Sequence, residues 1–202
     1  MRAWDFVLPE FTSEKNPQVS LFNIPNQLTA ARFLLSIVVF VLIPLNHYPA
    51  ALIIFSVAVM TDWVDGYWAR RLGQITKLGR ILDPLVDKII ICGTFIVLAI
   101  KPDSGIAVWV ATVVLCRELL VTALRSFIEQ RGGDFSANMA GKLKMVLQCV
   151  AIIASLVVLT YGRDESPAWM IWAVRIFVWV AVISTVQSGL GYLLAAGKYL
   201  RK

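Results

Sequence analysis

The chain has 202 residues, of which 58% are apolar and 16% charged, with a mean hydropathy of +0.74 and a formal net charge of +6. Soluble domains run at about 45–50% apolar and about 25% charged, so the composition excludes a disordered chain and argues against an ordinary soluble domain. In a membrane protein the positive balance points first to cytoplasmic anchoring and anionic headgroups, not to nucleic acid.

The first 20 residues mix Trp4, Phe6 and Phe11 with Asp5, Glu10 and Glu14. They lack the basic start and apolar core of a signal peptide. A cytoplasmic or interfacial segment is expected over 1–20, followed by one membrane domain over 21–202. Six apolar stretches follow at 28–45, 49–70, 79–100, 105–128, 137–161 and 167–195. Each is close to the roughly 20 residues of a membrane span. The expected fold is an all-α integral membrane protein, a bundle of six transmembrane helices. Cys92, Cys116 and Cys149 lie inside these runs and read as small hydrophobes.

The first five stretches carry polar residues at one end only. Asn26, Thr29 and Arg32 open the first, and Asp62, Asp65 and Arg70 close the second. Arg80, Asp83, Asp87 and Lys88 open the third, Arg117, Glu118 and Arg125 close the fourth, and Asn138, Lys142 and Lys144 open the fifth. In an up-down bundle all these ends share one side. Basic residues collect there, whereas the opposite loops hold Lys101 and Arg163. The positive-inside rule makes the polar side cytoplasmic, with both termini and an inward-facing polar cavity.

Asp62 and Asp65 are three apart, with Ala69 four further on; Asp83 and Asp87 are four apart, with Gly79 four before. Each set shares a helical face. The short link at 72–78 predicts two antiparallel neighbours with facing acidic stripes. Uncompensated carboxylates at that spacing repel. A divalent cation resolves the repulsion, and oxygen-only ligands suit Mg²⁺, Mn²⁺ or Ca²⁺, not zinc. Gly66, Ala69 and Gly79 leave space beside the stripes. Arg117 and Arg125 are eight apart, on one face, and an arginine fork suits a phosphate monoester. Lys142 and Lys144 diverge, so one of them is expected at that phosphate. Glu118 braces an arginine, and Arg32 is assigned to the cavity. Arg175 is expected to snorkel outward or to pair with Asp164 or Glu165, and His47 to sit in an outer loop.

The stretch from Asp62 to Asp87 reads Asp-x₂-Asp-Gly-x₂-Ala-Arg-x₈-Gly-x₃-Asp-x₃-Asp. It resembles the signature of the CDP-alcohol phosphatidyltransferases at every fixed position. The resemblance implies a six-helix membrane domain and a homodimer in a bacterial inner membrane. It implies that Asp62, Asp65 and Asp83 ligate Mg²⁺ or Mn²⁺ on the diphosphate of a CDP-lipid. Asp87 is implied as the base for the acceptor alcohol, touching metal as well. Asn26, Thr29, Gly66, Ala69, Arg70 and Gly79 are implied around the cytidine and diphosphate.

The segments Phe22–Arg32, Cys116–Arg125 and Ala140–Gln148 resemble the branch of the family that joins CDP-diacylglycerol to sn-glycerol 3-phosphate. That acceptor places Arg117, Arg125, Lys142, Lys144 and Arg32 at its phosphate. Met145 departs from this branch, which usually carries Thr there. The alternatives are phosphatidylglycerol as acceptor, giving cardiolipin, or an ion or proton transporter with the aspartates as relay. Transport requires access from both faces, and here the polar residues crowd one.

Overall fold

The computed structural model describes residues 24–72, 77–130, 139–162 and 164–200, leaving aside the side chains of 24–26, 62–72, 77–81, 129–130, 139–140, 142, 195 and 198–200. The expected segment over 1–20 lies outside the described residues. The described chain is all-helical, as expected: α1 (Ile24–Leu42), α2 (Tyr48–Leu72), α3 (Lys77–Ala99), α4 (Val108–Gln130), α5 (Met139–Tyr161) and α6 (Ala168–Leu200). A 3₁₀ turn at Pro102–Ser104 joins α3 to α4. At 1.5 Å per residue the helices run from about 28 to about 50 Å. Two of them, over Leu143–Tyr161 and Ala168–Leu194, are long and apolar enough to cross a membrane.

Local chemistry moves several helix ends from their expected places. Pro44 lacks an amide donor and Asn46 adopts a positive φ of 63°, so α1 stops at Leu42 instead of continuing to 45. Gly105 takes φ 72°, which only glycine adopts freely, and α4 starts at Val108. Inside α3, Pro84 sits in a continuous helix between the two aspartates. It cannot donate to the Arg80 carbonyl one turn back.

Side-chain contacts define the two ends of the bundle. At one end Thr29 meets Asp83, Arg32 meets Asp87, Lys88 meets Thr122, Lys144 meets Glu118 and Arg117 meets Ser188. At the other end Lys101 donates to the Pro44 carbonyl and to Asn46 Oδ1, and Ser155 donates to the Ser104 carbonyl. The starts of α1, α3 and α5 therefore lie beside the ends of α4 and α6, which is the expected alternation. The Lys101 clasp satisfies a cation at this second end within the protein itself.

The apolar core fills the half away from the polar end. Val39, Ile43, Phe55, Phe95, Leu98, Val110, Val114, Ile152 and Leu156 are fully buried there or nearly so. The outside is equally apolar: Leu34, Ile53, Met60, Val108, Leu119, Leu143, Trp169, Ile183 and Leu194 are exposed. A soluble monomer rarely exposes so much apolar surface.

In lipid, helices associate through close packing and polar contacts, because lipid tails are as apolar as leucine. Gly93 of α3 is one such contact. A Cβ there would stand 2.2 Å from the Phe40 ring of α1. Gly93→Leu is expected to destabilise the fold by about 1–3 kcal/mol through overpacking. Adding Phe40→Ala should restore most of the loss in thermal melts of detergent-purified protein. An unchanged melting temperature in the single variant would remove Gly93 from the packing account.

Among the described residues α2 and α3 do not pack on each other. Both α1 and α5 touch each of them. The expected facing of their acidic stripes falls on 62–72 and 77–81, whose side chains lie outside the described ones. Helix α1 lays one face, carrying Thr29 and Arg32, against α3, and both are buried.

Candidate functional site

The acidic half of the site begins on α3. Asp83 and Asp87 stand one turn apart, and α1 answers each of them. The Thr29 hydroxyl donates to Asp83 Oδ1, and Arg32 Nη1 lies 3.0 Å from Asp87 Oδ1. Thr29 and Arg32 are themselves three apart on α1, so one helical face meets another. The Arg32 side chain is 4% exposed and that of Asp87 26%. A cation buried this deeply requires a partner, and Asp87 supplies it. Arg32, assigned from sequence to the acceptor phosphate, is thus held against Asp87 and does not line the neighbouring cavity.

Asp62, Asp65, Gly66, Ala69 and Arg70 lie in the C-terminal turns of α2, and Gly79 in the first turn of α3. Asn26 opens α1. Their side chains fall outside the described part of the structure. The donors that are described, two carboxylates and a hydroxyl, are hard oxygen ligands of the kind Mg²⁺ or Mn²⁺ takes.

The basic half surrounds a cavity of about 270 Å³ between α3, α4, α5 and α6. Its charged walls are Lys88, Arg117, Arg125 and Lys144, four cations, against the two carboxylates Asp87 and Glu118. Arg117 and Arg125 share it, as their spacing predicts. Lys144 lines it too, whereas the Lys142 side chain is outside the described ones. The excess of positive charge in a space walled by helices favours an anion of about the cavity's size.

Glu118 organises this wall. One of its oxygens, Oε1, accepts from both Arg117 Nη1, at 3.2 Å, and Lys144 Nζ. The three side chains are each at least nine-tenths buried. The carboxylate holds two cations side by side that would otherwise repel, and leaves them with one net positive charge. Lys88 Nζ donates to Thr122 Oγ1 at 2.7 Å, tying α3 to α4 at the rim.

Several lining residues escaped the sequence reading. Lys88 was noted only as polar, and Thr122, Gln148 and Tyr192 were not singled out. Along the inner half of helix α6, Thr185, Ser188 and Tyr192 recur at helical spacing. Thr185 accepts from Gln148 Nε2 at 3.0 Å, Ser188 from Arg117, and the Tyr192 ring lies 5.8 Å from the Arg117 guanidinium. That polar stripe was the available signal. Met145 lines the cavity, so its thioether takes the position of the expected Thr. Arg175 pairs with neither Asp164 nor Glu165; its guanidinium lies 5.3 Å from the Trp172 ring on its own helix. His47 is exposed in the loop between α1 and α2.

Asp87 belongs to both halves. It completes the acidic pair with Asp83 and also lines the cationic cavity. A proton acceptor placed there borders an anion site on one side and an acidic, metal-suited site on the other.

Comparison with known proteins bears on the same residues. Residues 22–187 match the family model for CDP-alcohol phosphatidyltransferase. The chain is 35% identical over 189 residues to the CDP-diacylglycerol–glycerol-3-phosphate 3-phosphatidyltransferase of Bacillus subtilis strain 168, covering 85% of this chain and 94% of that protein. It is 34% identical to the protein of the same name from Escherichia coli K12, over 87% of this chain and 95% of that one.

Proposed function

The chain belongs to the CDP-alcohol phosphatidyltransferase family, and from that premise we propose that it transfers a phosphatidyl group from CDP-diacylglycerol to sn-glycerol 3-phosphate, releasing phosphatidylglycerophosphate and CMP. The observation that carries the reading is Asp87, which stands where the acidic pair meets a cationic cavity.

Arg117, Arg125 and Lys144 bind the phosphate of glycerol 3-phosphate and turn its hydroxyl toward Asp87. Asp87 takes the hydroxyl proton. The acceptor oxygen forms its bond to the phosphatidyl phosphorus as the bond from that phosphorus to the CMP oxygen breaks. Close placement accounts for most of the rate, as in other phosphoryl transfers. A divalent cation, Mg²⁺ or Mn²⁺, would be held by Asp62, Asp65, Asp83 and Asp87 and would neutralise the diphosphate. Asn26, Thr29, Gly66, Ala69, Arg70 and Gly79 would line the CDP end. Arg32 Nη1, 3.0 Å from Asp87 Oδ1, holds that carboxylate in place.

The same reading makes residues 21–202 one membrane domain of six spans in a bacterial inner membrane, with 1–20 on its cytoplasmic surface. The polar end, the cavity and both termini then face the cytoplasm, from which both glycerol 3-phosphate and the metal are supplied. A homodimer completes the proposal.

The test is CMP release by purified protein given CDP-diacylglycerol, Mg²⁺ and a panel of acceptors. Glycerol 3-phosphate is expected to support release. Release with phosphatidylglycerol alone would transfer the assignment to cardiolipin synthesis, and release with no acceptor tested would end the enzyme reading. Arg117→Ala is expected to raise the acceptor KM by roughly 10- to 100-fold, the effect of losing one hydrogen bond to a charged group. The KM for CDP-diacylglycerol should stay within about twofold. An unchanged acceptor KM would place the phosphate elsewhere.

A further inference from the structure

The Arg117 side chain is held from four directions, three on its guanidinium and one on its stem, and three of the four come from α6. Nη1 donates to Glu118, its neighbour on α4. Nη2 donates to the Ser188 hydroxyl, which is buried. The ring of Tyr192, one turn beyond Ser188, stands 5.8 Å from the guanidinium carbon. Between them, Gly189 lets the arginine stem lie against the α6 backbone: a Cβ there would come within 3.2 Å of Arg117 Cγ. Ser188, Gly189 and Tyr192 therefore form a seat for one side chain of another helix. Such fixing costs an arginine its rotamer freedom before any ligand arrives.

The seat also has a direction. Arg117 Nε is buried and has no hydrogen-bond partner among the described residues. Arg117 lines the cationic cavity, where a preset guanidinium suits an acceptor-rich anion. Tyr192 lines that same cavity. Its hydroxyl end lies over Gly141 of α5, 3.8 Å from where a Cβ would be.

We propose that Ser188 and Tyr192 on α6 are positioning residues that preset the Arg117 guanidinium for the phosphate of the acceptor alcohol. The proposal rests on the functional reading above. It assigns α6 a share in acceptor affinity without contact to the reacting atoms. The ring face of Tyr192 contributes to the fixing through its quadrupole and its bulk.

The experiment measures initial rates of CMP release against glycerol 3-phosphate and, separately, against CDP-diacylglycerol. It compares the full-length wild type with Ser188→Ala, Ser188→Thr, Tyr192→Leu and Tyr192→Phe, each first checked by size exclusion and thermal melting. Ser188→Ala and Tyr192→Leu are expected to raise the KM for glycerol 3-phosphate by about tenfold, with kcat and the KM for CDP-diacylglycerol within about threefold. Tyr192→Phe, which keeps the ring, and Ser188→Thr, which keeps the hydroxyl, should recover most of that loss. Inorganic phosphate, used as a competitor, should lose potency in step with the raised KM.

A fall in kcat with an unchanged acceptor KM would reduce both residues to packing and overturn the proposal. A Tyr192→Phe variant as impaired as Tyr192→Leu would overturn the role of the ring. Should one variant fail to fold, the other position carries the same decision. Wild-type protein that releases no CMP with glycerol 3-phosphate would overturn the functional reading, and this proposal with it. Wild-type activity with unaffected variants would overturn this proposal alone.

Discussion

Asp87→Asn is expected to lower kcat by about 10²- to 10⁴-fold, the range for losing a positioned general base, while binding of CDP-diacylglycerol persists. The substitution keeps size and shape, and the amide oxygen still accepts from Arg32 Nη1, now 3.0 Å from Asp87 Oδ1. What it removes is the charge that draws the hydroxyl proton. It also leaves a guanidinium whose side chain is 4% exposed without its counter-ion, which costs stability. The two effects separate by measurement. Turnover is read from CMP release, CDP-lipid binding by calorimetry with Mg²⁺ present, and stability by melting. Retained binding with lost turnover assigns Asp87 to proton transfer. Binding lost together with turnover would make Asp87 primarily a metal ligand.

The second large effect is expected at Glu118. Its Oε1 accepts from both Arg117 and Lys144, whose side chains are 10% and 7% exposed. Glu118→Ala leaves two buried cations facing each other with no carboxylate between them. Removing one partner of a buried pair costs about 3–5 kcal/mol, so this variant should unfold far more readily in mixed micelles of rising SDS fraction. Glu118→Gln keeps one acceptor oxygen and should fall between Ala and wild type. The double variant Glu118→Ala, Lys144→Met removes one of the stranded charges and should recover part of the loss. Wild-type unfolding behaviour in Glu118→Ala would show that water or lipid headgroups already neutralise the pair.

The two predictions address different layers of the site. Asp87 concerns chemistry, and Glu118 concerns the scaffold that lets four cations share a cavity. Neither layer works alone. An arginine and a lysine at the acceptor phosphate must stay close together before the phosphate arrives, and Glu118 makes that arrangement tolerable in a low-dielectric interior.

Much of this was legible in the residues. Helical periodicity and apolar run length located all six helices, since the hydrophobic pattern of a helix is a one-dimensional property. The crowding of polar residues at alternate ends placed them at one end of the bundle, and the contacts of Thr29, Arg32, Lys88 and Lys144 agree. The signature from Asp62 to Asp87 identified the family before any fold was considered. Errors clustered at helix ends, where Pro44, Asn46 and Gly105 override the apolar run.

What the chain could not disclose were partners across helices. Arg32 is assigned from the sequence to the cavity, and only the rotation of α1 against α3 brings it to Asp87. Arg175 has two acidic residues nearby in sequence, but the turn of α6 carries it to Trp172. Tyr192 is one aromatic among several in an apolar helix until α6 packs on α4 and sets its ring beside Arg117.

Composition, period and motif spacing are properties of the chain read locally, so the sequence alone determined class, helices, family and the list of reactive side chains. Which of those side chains meet depends on how six cylinders are ordered and turned about their axes. That is decided by small notches such as Gly93 and Gly189 and by buried polar pairs, many residues apart in the chain. Only the tertiary structure placed Asp87 between an acidic pair and a cationic cavity.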